Sequence, residues 1–160
     1  MKRLLVVFVV FLMFFCSCQS ERDFLAYQEK SPKIECTVNE KFKLVIEKKE
    51  CTYIYIKKPS ELTSVYFELS ENGSYAISNE LKIPIDSSNL GGIFALGNAL
   101  CLSEGEIISV TDENNTSIVT FENAYGTYTV IYGKNLLPSH IEIHSDSYDY
   151  DIDVTGIELK

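Results

Sequence analysis

The chain has no tryptophan, only two histidines and, after Arg22, no arginine. Lysine and arginine together number 14 against 23 aspartates and glutamates, a net charge of -9. A surface so short of positive charge repels phosphate backbones and anionic headgroups, which excludes nucleic acid as a partner. Neither G-x-S-x-G nor S-x-x-K occurs, and Leu90-Gly91-Gly92 lacks the lysine of a phosphate loop. Without tryptophan, and with both histidines read as outward-facing, hydrolase and glycosidase chemistry has little to stand on. The expectation is a protein that is not an enzyme and carries no cofactor or metal. Long apolar runs are missing too: the run at residues 4–15 has 12 residues, whereas a membrane-spanning helix needs ~20. No repeat and no low-complexity tract is visible.

What is present begins with that run. It stands behind Lys2 and Arg3 and gives way to small or polar residues, the pattern of a secretory signal peptide. The junction Phe15-Cys16-Ser17-Cys18-Gln19-Ser20 resembles the lipobox of bacterial lipoproteins. Ser17 matches the small residue before the cut, and Cys18 matches the cysteine that becomes the lipidated N-terminus. Phe15 stands where leucine is usual. The resemblance implies a diacylglycerol thioether on Cys18, commonly with a further acyl chain such as palmitate on its amine. Two or more chains give a stable anchor, so the expected location is the extracytoplasmic face of a cell membrane. Residues 1–17 are then the signal, residues 18–32, polar and without periodicity, a flexible tether, and residues 33–160 one domain.

Within that domain the dominant signal has period two. Ten strands are expected, over residues 33–38, 42–48, 52–57, 65–69, 74–83, 106–111, 116–121, 127–132, 139–144 and 148–154, rich in Ile, Val, Tyr, Phe and Thr. Short breaks between most of them argue for an antiparallel meander. Residues 87–103 carry no charge, and their apolar side chains recur at helical spacing. A helix apolar on every side must be covered. Gly91, Gly92 and Gly97 each weaken it by ~1 kcal/mol relative to alanine. Tyr53 and Tyr55, like Tyr128, belong to strands that are apolar on both faces, as a curved sheet wrapped around a helix requires.

An acylated N-terminus, a meander and one apolar helix before the last strands is a combination similar to the lipoprotein-carrier and lipoprotein-receptor half-barrel family. The stretch Lys57-Lys58-Pro59-Ser60-Glu61-Leu62, followed by Val65-Tyr66-Phe67, is similar to small secreted lipoproteins of Gram-positive bacteria. The resemblance implies a mainly β fold: a curved antiparallel sheet, or half-barrel, with the apolar helix on its concave face. It also implies a cavity for acyl chains or a partner's hydrophobic segment. The basic cavity residue of carrier-type members has no counterpart here. The candidate ligand-binding residues are Leu90, Ile93, Phe94 and Leu100 on the helix, with Tyr53, Tyr55 and Tyr128 on the sheet. Two readings follow: a lipid-anchored domain that binds a lipid or acylated partner, or a structural lipoprotein with a closed core and no ligand.

Smaller clusters read as structural. His140 and His144 lie on one strand face ~13 Å apart, too far for one zinc ion, and are expected to be exposed. Asp149, Asp151 and Asp153 share a strand face and read as a solvated acidic edge that discourages aggregation; EF-hand spacing fails at Val154 and Lys160. Beyond Cys18 three cysteines remain. Turns at Asn39-Glu40 and Lys49-Glu50 would set Cys36 level with Lys43 and Cys51 level with Lys48. That offset of ~16 Å is too long for a disulfide, so Cys36, Cys51 and Cys101 are expected to be buried, unreactive thiols.

Overall fold

The computed structural model describes residues 23–100 and 105–160. The signal, the Cys18 junction, the first part of the tether and Cys101 therefore lie outside the described residues. Among those described, no helix is long and apolar enough to cross a membrane.

Among the described residues eleven antiparallel strands form one sheet: β1 (Lys33–Val38), β2 (Phe42–Lys48), β3 (Thr52–Lys58), β4 (Val65–Leu69), β5 (Ser74–Ser78), β6 (Leu81–Ile85), β7 (Glu106–Glu113), β8 (Thr116–Asn123), β9 (Gly126–Tyr132), β10 (Pro138–His144) and β11 (Asp149–Glu158). Their order is β6-β5-β4-β3-β2-β1-β11-β10-β9-β8-β7, two meanders joined where β1 pairs with β11. The sheet does not close, and α1 (Ser87–Leu100) links the two edge strands. The half-barrel is thus the fold the alternation pointed to, with the helix on its concave face. Ser60–Leu62, within the Pro-Ser-Glu-Leu motif, is one turn of 3-10 helix between β3 and β4.

Alternation builds the core row by row. Val119, Val130, Ile141, Ile152 and Val38 stand opposite one another across five strands, and all five are buried. Burying each such side chain is worth ~1.5–3 kcal/mol. On the other half Ile34, Ile46 and Ile54 form a second row with no exposure. Ala95, Leu96, Ala99 and Leu100 of α1 close the core from above. Gly97 lets the helix come close: a Cβ there would lie 2.6 Å from Leu69 Cδ1. At its other end the helix meets Tyr148 and Tyr150 through Gly91 and Gly92. The glycines that weaken the helix as a helix are where it meets the sheet's side chains.

Four expectations change. The run 74–83 is two strands, because Asn79 adopts a left-handed φ of 52° and turns the chain back without a glycine. The tether ends earlier than its composition suggests: Phe24 and Tyr27 are buried in the core, and Ala26–Lys30 is a 3-10 helix. Two aromatic side chains outweigh the polar residues around them. The helix is irregular at Leu90 (φ -132°, ψ 40°). Finally, β11 is no edge, since β1 covers one side of it and β10 the other.

The cysteine register moves by one residue in each hairpin, because both turns have three residues. Cys36 pairs with Leu44, and Lys48 pairs with Thr52, which leaves Cys51 in the turn. Asn39 and Glu40 take positive φ (48° and 57°), as a three-residue loop allows. Both thiols are free, as expected, but only Cys36 is buried; Cys51 is half-buried. Burial pushes the Cys36 thiol up to about 12, against ~8.5 for an ordinary cysteine. At pH 8 iodoacetamide should therefore label Cys51 at least ~100-fold faster than Cys36. Peptide mass spectrometry over time checks this, and equal rates would show that β1 is open to solvent.

Candidate functional site

Two clefts open beside α1, on either side of a stack between Phe94 and Tyr125, whose rings are 6.1 Å apart and 17° from parallel. The larger, of about 1060 Å³, lies between the start of the helix and the β8–β9 and β10–β11 turns. Leu90, Ile93, Tyr125, Tyr148 and Tyr150 give it apolar walls, and Ser145, Asp146 and Ser147 a polar rim. The smaller, of about 600 Å³, lies between the helix and the β2–β3 and β4–β5 turns, and includes Phe94, Gly97 and Leu69.

The walls of the larger cleft are held firmly. Tyr148, just before β11, and Tyr150 within it are two residues apart and stack at 5.4 Å. The Tyr148 hydroxyl donates to the Tyr125 carbonyl over 2.6 Å, tying the two turns together. Asn123 caps the same turn through its Oδ1, which accepts from the Tyr125 N–H at 2.8 Å. Burial, together with the neighbouring Tyr148, raises the Tyr150 phenol above its ordinary pKa. A Cβ on Gly92 would overlap the Tyr150 hydroxyl, so the absence of a side chain at Gly92 is what lets the helix backbone form one side of the cleft.

The candidate ligand residues part into three groups. Leu90 and Ile93 line the larger cleft and Phe94 the smaller. Leu100 and Tyr128 have no exposure and belong to the core. Tyr53 and Tyr55 are on the opposite face of β3 from the buried Ile54 and Ile56, where they stack with Tyr66 beneath Lys49 and Lys57. Period two alone sends them to the other side of the sheet from the helix, so they do not line these clefts. Sequence reading missed Tyr125, Tyr148 and Tyr150. The signal for the last two was their i, i+2 spacing beside a turn, and Gly91-Gly92 was legible only as a helix weakness.

A polar ladder on the outer face of β10 and β11 was legible only in pieces. His140 Nδ1 is 3.0 Å from Asp153 Oδ1, and His144 Nδ1 is 3.1 Å from Asp149 Oδ1. The antiparallel register sets them opposite each other. His140 is half-buried, not exposed as expected, because its partner covers it. Donor atoms of His140, Asp151 and Asp153 fall within 4.8 Å of one another.

No family model matches the chain, and no curated protein matches it. Among solved structures it is similar to an uncharacterized conserved protein from Thermus thermophilus, with a TM-score of 0.50 and 7% sequence identity, over 86% of this chain and 84% of that one. At that identity the likeness shows a shared fold alone.

Proposed function

We propose that this protein is a membrane-anchored extracytoplasmic lipoprotein whose half-barrel binds an apolar or amphipathic ligand, a lipid or an acylated partner, without catalysis. The observation that carries the reading is the larger cleft beside α1: aromatic and aliphatic walls, a polar rim and an open mouth match an amphiphile's two ends. Tyrosine suits such walls, since its ring is apolar and its hydroxyl tolerates water. The anchor rests on the Ser17-Cys18 junction. Native mass spectrometry of the purified protein should find a co-purified lipid; a bare protein that also takes up no added fatty acid would sink the reading. Cys18→Ala should release the protein from membranes into the soluble fraction, as fractionation and immunoblotting would read. Retention of that variant with its signal cleaved would remove the anchor.

A second reading has its own support. Leu100 and Tyr128, two of the candidate ligand residues, are fully buried, so much of the space between helix and sheet is filled by side chains. A structural lipoprotein that meets an envelope partner would need no more than that.

A further inference from the structure

The N-terminal segment is attached differently from everything else in the core. Phe24, Tyr27 and Gln28 are buried to 4%, 4% and 5% exposure. The backbone bonds of residues 23–29 stay within the segment, from Ala26 N–H to the Asp23 carbonyl and from Gln28 N–H to the Leu25 carbonyl. Among the described residues none of them joins the segment to a strand. Among the described residues the contacts that hold the segment include the two aromatic side chains and the Tyr27 hydroxyl, which donates to the Leu100 carbonyl at 3.0 Å. Lys30 alone, at its end, accepts a backbone bond, from the Lys160 N–H at 3.0 Å. A unit with few bonds to its surroundings opens by itself, at a lower free energy than the strands.

What it covers is not fully matched. The Phe24 ring packs against Tyr132 of β9 at 5.0 Å. Tyr132 has no exposure, and its hydroxyl has no hydrogen-bond partner among the described residues. A buried hydroxyl left unpaired is unfavourable and calls for a partner that the closed structure does not supply. Tyr132 lies on the concave face of β9, in the same alternation as Tyr128 and Val130. An apolar space with one unsatisfied donor suits an acyl chain carrying a carbonyl.

We propose that residues 24–30 are a displaceable plug, that Phe24 and Tyr27 fill the place an acyl chain takes, and that the Tyr132 hydroxyl donates to the acyl carbonyl. This rests on the lipid-binding reading above. In the closed state the plug competes with the ligand, so apparent affinity falls by the fraction of molecules that are closed. In sequence the segment follows Cys18 by six residues.

The test uses the full chain and two probes: a pyrene-labelled long-chain methyl ester, and the same labelled chain without the ester. Phe24→Ala/Tyr27→Ala should bind the ester at least ~10-fold more tightly than the wild type does. Adding Tyr132→Phe to that variant should weaken the ester about 5-fold, the size of one hydrogen bond, and leave the plain chain unchanged. Hydrogen exchange on the wild type guards against a variant that merely fails to fold: amides of residues 26–29 should open while those of β9 and β10 stay protected. If they open only with the whole domain, the segment is plain core and the proposal falls. If the segment opens alone but the double variant binds no better, while Phe94→Asp still abolishes uptake, the clefts are the whole site. The plug then falls and the lipid reading stands. If no protein takes up either probe, the lipid reading itself falls.

Discussion

Leu100→Ala is expected to lower the free energy of unfolding by about 3 kcal/mol, whereas Phe94→Asp is expected to leave stability within about 1 kcal/mol of wild type and to abolish fatty-acid uptake. The two residues sit on one helix, six positions apart, and both read in the sequence as candidate ligand contacts. Leu100 has no exposure and meets core on every side. Truncation leaves a cavity that the surrounding strands cannot fill, and such cavities in cores cost ~2–5 kcal/mol. The midpoint of thermal unfolding should fall by roughly 10 °C. Phe94 is half-buried, stacked on Tyr125 at the lip of the smaller cleft. A carboxylate there can reach water, so the strand signal in circular dichroism should persist while the apolar wall is lost. Thermal melts and fluorescence titration of a labelled fatty acid read both effects. If Phe94→Asp unfolds the domain and the wild type takes up no lipid, α1 is ordinary core and the structural reading wins.

Gly126→Ala should destabilise the protein by about 2–4 kcal/mol and weaken ligand uptake at the same time. Gly126 has a φ of +138°, a region that side chains with a Cβ rarely enter. A Cβ built there would also lie 2.5 Å from the backbone oxygen of His144, which cannot rotate away as a side chain could. Both penalties act on the turn that carries Tyr125, so the Phe94 stack and the Tyr148 hydrogen bond should loosen with it. Gly91→Ala is the contrasting substitution. Its Cβ would meet only Tyr148 Cε1 at 3.6 Å, an ordinary contact, and alanine favours a helix over glycine by ~1 kcal/mol. Urea unfolding should show the first variant markedly less stable and the second equal or slightly more stable. Equal stability for all three proteins would mean that the β8–β9 turn is not held as described.

The strands were legible because alternation is a local property: Ile34, Cys36 and Val38 announce a buried face whatever pairs beside them. The Asn79 turn was not, since Tyr75, Ile77, Leu81 and Ile83 keep the same period-two phase on both sides of it and read as one strand. Of the seven candidate ligand residues, Leu90, Ile93 and Phe94 lie at the clefts. Helical spacing marks a residue as apolar and facing inward. It does not say whether the space it faces is filled by Leu69 and Ile54 or left open beside Tyr148.

By itself the sequence determined the class of the fold, the placing of one uncharged helix between two sets of strands, and the shortage of positive charge. Each follows from composition or from a period of two or 3.6 residues, which act over one turn or one pleat. Only the tertiary structure decided which apolar residues are core and which are walls. It alone set His140 opposite Asp153 and placed Asp149, Asp151 and Asp153 inside the sheet instead of on its edge. It alone drew Phe24 and Tyr27 out of a polar stretch into the core. The pairing of β1 with β11 joins residues more than a hundred positions apart, and side chains become neighbours there through register that no local pattern records.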